Sequence, residues 1–426
     1  MRKMLATTVA LESIVNPVIT GLISLEEEQL LLGEASELGN EISNDLGEVD
    51  RLAETSDVLE DLAVIADGIS NATPTEIDLL NAAGSMAVTG TDIPSEELIP
   101  AMESFKGKKI AIENFTAKAK TIWENIQKFV KKIWDNITLF FKKIFATLPN
   151  LQKRVADAKA AVEKVEGKNE EKSVTISAGT AGMTVSGVAV KNESDYHAKF
   201  VDLAKANVYA LKTLPAQTVT FGLAIASGIS EFHPVEAEAS ANKFVTEIET
   251  AAKPFVDAKV QNFLGNVTIL PGEFPLNLGT KDLLSKLETY KTVTSKIAPS
   301  DKPAPSSIEI TPLTTDGIKT LLKEAEAILK TMEDFYKTNQ KSMETTRKAI
   351  ESASEKATAS FKSNQETKGA EAYYRAMLNY NQTYAAMVTS PATKMISNNV
   401  SCINVLLMVV NKSLAGYKQT TAVAVV

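Results

Sequence analysis

An eleven-residue segment repeats almost verbatim in this chain, and the repeat restricts what that stretch can become. Ile122-Trp123-Glu124-Asn125-Ile126-Gln127-Lys128-Phe129-Val130-Lys131-Lys132 is followed directly by Ile133-Trp134-Asp135-Asn136-Ile137-Thr138-Leu139-Phe140-Phe141-Lys142-Lys143. A third copy opens with Ile144-Phe145 and meets Pro149. Eleven residues are almost three helical turns, so equivalent positions drift by only about 20° per repeat. Ile122, Ile133 and Ile144 therefore stack nearly in line, with Ile126, Ile137 and Leu148 beside them. The lysine pairs fall on the opposite edge. The spacing predicts one long amphipathic helix over 110–148, ended by Pro149, with Leu151–Val165 resuming as helix after the break.

This helix has an aromatic face of Trp123, Phe129, Trp134, Phe140, Phe141 and Phe145. Its basic groups are Lys128, Lys131, Lys132, Lys142, Lys143, Lys153 and Arg154. Three readings fit. The aromatic face packs on later parts of the chain and leaves the lysines solvated. Alternatively the helix lies in a lipid interface, where Lys on one side and Trp/Phe on the other is the usual pattern. Or the lysines contact the phosphates of a polyanion such as duplex DNA, without sequence readout. The first and third are compatible, because a packed apolar face presents the lysines outward.

Charge divides the chain sharply at Ser104. Residues 1–103 hold 21 Asp/Glu against Arg2, Lys3 and Arg51, a net of −18; the other 323 residues hold 42 Lys/Arg against 32 Asp/Glu, a net of +10. Residues 104–164 alone carry 14 Lys/Arg against 5 Asp/Glu, so one element holds nearly all the positive surplus. Such asymmetry points to a front segment with a task of its own.

The totals exclude several classes. One cysteine, Cys402, permits no intramolecular disulfide and no thiolate cluster, and two histidines, His197 and His233, build no His-rich metal site. No P-loop, paired-His metal motif, nucleophile elbow or Gly-rich dinucleotide turn occurs, so neither a catalytic nor a cofactor site is expected. Asp195, Asp202 and Glu231 have no spacing that demands a shared cleft. Arg2-Lys3 and the apolar Met4–Leu11 begin like a secretion signal, but Glu12 cuts that stretch short. The apolar run Val405–Val410 is too short to span a bilayer, and a soluble protein is expected.

The expected fold is mainly α with a small β component, in four segments. Residues 1–103 read as an acidic helical leader, with apolar repeats in Leu30–Leu46 and Val58–Ile69 and a short helix over Thr75–Ala83. Lone, weakly amphipathic acidic helices are poorly stable in water, so this segment reads as detachable. Residues 104–150 are the basic aromatic helix. Residues 151–310 form an α+β region, with a hairpin in Val174–Val190 and short strands at Thr218–Leu223, Asn266–Leu270 and Ile308–Thr311. Between them lie helices near Asp195–Leu211, Pro234–Phe263 and Thr280–Ile297. Residues 311–426 read as an antiparallel helical bundle, with a seam of Ile318, Leu321, Ala325, Ile328, Met332 and Phe335 at steps of three and four. Ala370–Val388 and Met395–Leu414 return against it.

Ala101-Met102-Glu103, followed by Ser104, has the small–any–Glu form that prohead proteases of large tailed bacteriophages recognise. Ala10-Leu11-Glu12, before Ser13, is a second match. The form also occurs at Ala35-Ser36-Glu37, Ser342-Met343-Glu344 and Gly369-Ala370-Glu371, so the coincidence of Glu103 with the charge break gives it its weight. With its acidic leader, this junction and the Lys/Trp/Phe helix, the chain resembles the internal head (core or inner-virion) proteins of large tailed phages. The resemblance covers roughly the first 150 residues. It implies a leader trimmed by a prohead protease and residence in the capsid interior after a period in the host cytoplasm. Non-specific contact with packaged double-stranded DNA and with other capsid or core proteins is implied as well, and some family members are ejected with the genome. Two rivals stand beside it. One is a membrane-active protein that inserts the aromatic helix at a membrane surface. The other is a scaffold or adaptor that assembles with copies of itself.

Overall fold

The computed structural model describes residues 25–68, 73–89, 105–256, 259–272, 282–290, 295–363 and 370–419. Three helices open the chain: α1 (Leu25–Gly68), α2 (Pro74–Val88) and α3 (Phe105–Val162). The fold is mainly helical with a few small antiparallel sheets, as the sequence leads one to expect.

Helix α3 runs straight through Pro149, contrary to the expected break there. Proline removes one backbone donor and crowds the carbonyl four residues back, at a cost of about 3 kcal/mol. Burial on both sides of the proline offsets that cost. Phe141 and Phe145 pack on Phe335, with ring centroids 5.3 and 6.5 Å apart, and Phe145 stacks on Tyr336 at 4.4 Å. Beyond the proline, Leu151, Val155, Ala158 and Val162 continue the buried stripe. Pair contacts of this sort contribute on the order of 1 kcal/mol each beyond the area they bury.

After α3 come β1 (Val165–Glu166), β2 (Val174–Ile176), β3 (Thr184–Val185) and β4 (Val188–Ala189). The expected hairpin in Val174–Val190 is the short pair β3–β4, whose turn residues Ser186 and Gly187 both have positive φ, 50° and 79°. Val174–Ile176 pairs instead with β8 (Ile308–Ile310), and β1 pairs with β9 (Lys418–Gln419) near the other end of the chain.

Helices α4 (Glu193–Val208), α5 (Leu214–Ser230) and α6 (Ala237–Val256) follow. The strand expected at Thr218–Leu223 is part of α5. Thr218, Phe221, Gly222, Ile225 and Ile229 are buried at helical spacing, and β-branched residues yield their strand preference to such packing. Gly222 is where α5 meets its neighbours: a β-carbon there would come within 2.5 Å of Thr346 and Tyr384. The helix expected to reach Phe263 stops at Val256, and Gln261–Phe263 is β5, beside β6 (Val267–Leu270) and β7 (Lys296–Pro299). The helix expected over Thr280–Ile297 is α7 (Leu283–Tyr290), and its far end is strand β7.

The last helices are α8 (Thr315–Asp334), α9 (Gln340–Ser363), α10 (Ala370–Leu378) and α11 (Tyr380–Leu414). Every residue of the expected α8 seam is buried. Helix α11 is the central post: α1, α3, α4, α5, α8 and α9 all touch it. The stretch Ala372–Leu414 is long and apolar enough to cross a membrane, but 72% of its apolar window is buried within the protein. That is the behaviour of a core helix.

An acidic helix seated on a basic one as the candidate functional site

The candidate site is the contact between α1 and α3. Helix α1 holds fourteen Asp/Glu and one Arg in 44 residues; α3 holds thirteen Lys/Arg and four Asp/Glu in 58. Such a run of like charge is unstable as an isolated helix, yet α1 is one continuous helix rather than the two separate repeats the sequence suggests. Its stability comes from what it packs against.

Ala35, Ile42 and Val49 recur every seven residues, and Asp45, Leu52 and Leu59 form the companion row; all six are buried. Leu62 extends the strip. This is a coiled-coil seam, and it lies along α3. The α1 backbone passes over Phe140, so that a β-carbon at Gly39 would lie 3.8 Å from its ring, which is 1% exposed.

Polar contacts flank the seam and fix its direction. Lys143 is ion-paired with Glu34, Asn136 donates to Glu41 at 3.3 Å, and Lys132 meets Asp45 at 2.9 Å. As the α1 partner steps forward from 34 to 41 to 45, the α3 partner steps back by the same number of residues. The helices are therefore antiparallel. Glu34 and Asp45 are eleven residues apart, and so are Lys143 and Lys132, the equivalent last positions of the two repeats. The acidic helix thus carries its carboxylates at the period of the basic one.

The other side of α3 faces the body. Trp134 packs on Tyr384 with centroids 5.8 Å apart and carries the Arg347 guanidinium over its ring at 5.5 Å. Gln152 donates to Glu333, and Lys159 bonds both carboxylate oxygens of Glu326 at 2.8 Å. Trp134, Phe140, Phe141 and Phe145 are all buried, so the aromatic face packs within the protein from Trp134 onward. Of Trp123 and Phe129 only the helical backbone is described. Among the basic groups, Lys128, Lys131, Lys132 and Lys153 are exposed, while Lys142, Lys143 and Arg154 are half-buried. The structure brings Lys132 and Lys143 to acidic partners on α1.

Both junctions read as cleavage sites, Ala101–Ser104 and Ala10–Ser13, lie outside the described residues. The competing triplets Ala35–Glu37 and Ser342–Glu344 lie inside α1 and α9, where the backbone is hydrogen-bonded and closed to a protease that needs extended chain. Sequence reasoning missed the docking of α1. Its signal was the seven-residue spacing of Ala35, Ile42 and Val49, masked by Asp45 in the companion row and by Gly33, Gly39 and Gly47.

A family model described as phiKZ-like phage internal head proteins matches residues 37–412, from within α1 to the last turn of α11. The chain belongs to that family. No curated protein and no solved structure matches it. As a phiKZ-like internal head protein, it is a structural component of the virion, housed inside the phage head with capsid or core components. The family is structural in character rather than catalytic.

Proposed function

We propose that this internal head protein is made with its acidic segment as a restraint on α3, and that a prohead protease cuts between Glu103 and Ser104 during head maturation. The cut converts a chain of net charge −8 into one of +10 and leaves a basic helix to neutralise phosphates of packaged DNA, without base readout and with steep salt dependence. The observation that carries the reading is the matched register of Glu34 and Asp45 on Lys143 and Lys132. The acidic helix occupies cationic groups that a polyanion would otherwise contact. Ejection with the genome and assembly with further copies are compatible with this role.

The test is intact-mass and N-terminal analysis of the protein recovered from its native particle, with filter retention of DNA at low salt by the full chain and by residues 104–426. A start at Ser104 and stronger retention by the shorter chain are expected. An intact Met1 or Arg2 terminus, or equal retention, overturns the proposal. The membrane reading has no comparable support, since the residues of α3 from Trp134 onward that would insert into lipid are buried between α1 and the body.

A further inference from the structure

Two forces of different kind hold α1 on α3. The ion pairs at Lys132 and Lys143 weaken as salt rises. The apolar strip of Ala35, Ile42, Val49, Leu52, Leu59 and Leu62 over Phe140 does not depend on salt in that way. Removing α1 from α3 returns that strip, and the Phe140 ring, to water. We infer that a cut after α2 leaves α1 in place, and that the processed molecule is a two-piece complex in which residues 104–426 retain their own acidic helix until dilution separates them. For its biological setting this rests on the cleavage reading above.

The reasoning turns on what the connection supplies. While chain joins α2 to α3, docking is intramolecular and α1 sees α3 at roughly millimolar effective concentration. Once the chain is cut, occupancy follows the free concentration of the released piece. Helix α1 is built to be lost under those terms. Gly33, Gly39 and Gly47 stand in its interior, where each weakens an isolated helix, so α1 away from α3 unfolds and rebinding includes the cost of refolding. In a head crowded with copies, packaged DNA competes with the cut α1 for Lys132 and Lys143, and the two-piece complex is the form that DNA must displace before those lysines reach phosphate. In a large volume it comes apart, and Lys132 and Lys143 lose their carboxylate partners.

The experiment uses the full chain with a sequence-specific protease site in place of Ala101–Ser104, cut to completion. Native mass spectrometry and size-exclusion chromatography then follow the two pieces during dilution. They are expected to travel together at tens of micromolar, in low and in molar salt, and to separate on dilution with loss of helical circular dichroism. Gly33→Ala and Gly47→Ala place a methyl group in open space and should each move the separation to roughly fivefold lower concentration. Ile42→Ser should move it to higher concentration. Immediate separation at tens of micromolar, or a midpoint that none of these changes moves, overturns the inference. The cleavage reading fails on a different observation, an intact terminus in native particles, so the two results are independent.

Discussion

Helices α1 and α11 both lie against α3, and they are held there in different ways. Helix α11 has two charged residues in its 35, Lys394 and Lys412. It buries Met395, Ile396, Cys402, Ile403, Leu406, Val409 and Val410 completely. Amide contacts tie it into the protein: Asn399 donates to Asn207 at 2.5 Å, Asn207 donates to the Ile328 carbonyl at 3.4 Å, and Asn398 donates to the Leu264 carbonyl at 2.8 Å. Among its described side chains, helix α1 buries one main stripe, makes smaller contacts with α2 and α11, and exposes Leu30, Glu41, Arg51, Val58 and Ile65. A helix buried over most of its surface belongs to the cooperative unit, whereas one held chiefly along a single stripe is able to open by itself.

The largest expected effect separates these two behaviours directly. Leu406→Asp places a carboxylate at a site with no exposure and should cost more than about 4 kcal/mol, unfolding the whole body in one transition. Leu52→Asp on α1 should release α1 alone and leave the main melting transition within a few degrees of wild type. If both substitutions shift one and the same transition, α1 is part of the core and the contrast is wrong. Alkaline stress gives a smaller effect. Burial pushes the phenols of Tyr196 and Tyr384 up, and α1 contains no tyrosine. Below about pH 10 folded and unfolded chains hold the same phenolic protons; above it only the unfolded chain releases them, so stability falls as pH rises. The loss should be on the order of 1 kcal/mol per pH unit for each such phenol and appear in the melting of the body. Salt gives the smallest effect. Taking the full chain from low to molar salt should speed hydrogen exchange across α1 by an amount equivalent to less than about 1 kcal/mol per ion pair, with α11 unchanged. Faster exchange in α11 as well would erase the distinction.

The sequence was most legible where one local period governs the outcome. The eleven-residue repeat gave α3, and the three-and-four steps from Ile318 to Phe335 gave the α8 seam. It was least legible where the partner is distant. Val174–Ile176 reads as half of a local hairpin because nothing nearby reveals Ile308–Ile310 as its true mate. Pro149 reads as a terminator because its cost is local, whereas the aromatic packing that offsets it comes from Phe335 and Tyr336. Helix α1 reads as detachable for the same reason: its surroundings supply its stability. The charge break, by contrast, was visible at once, and it identifies the two helices that meet at the candidate site.

Asp45 has one further consequence. Because binding groups recur every eleven residues on α3, sliding α1 by one repeat would bring Glu34 to Lys132 and Glu41 to Asn125, each the counterpart of its present partner. Asp45 distinguishes the two alignments. Where it now rests, one oxygen of its carboxylate accepts from Lys132; after the slide the α3 position in register with it is Thr121, which brings no cation. A buried carboxylate that meets a cation in only one alignment selects that alignment. A single acidic side chain thereby acts as the detent that stops the helix at one notch along a periodic rail.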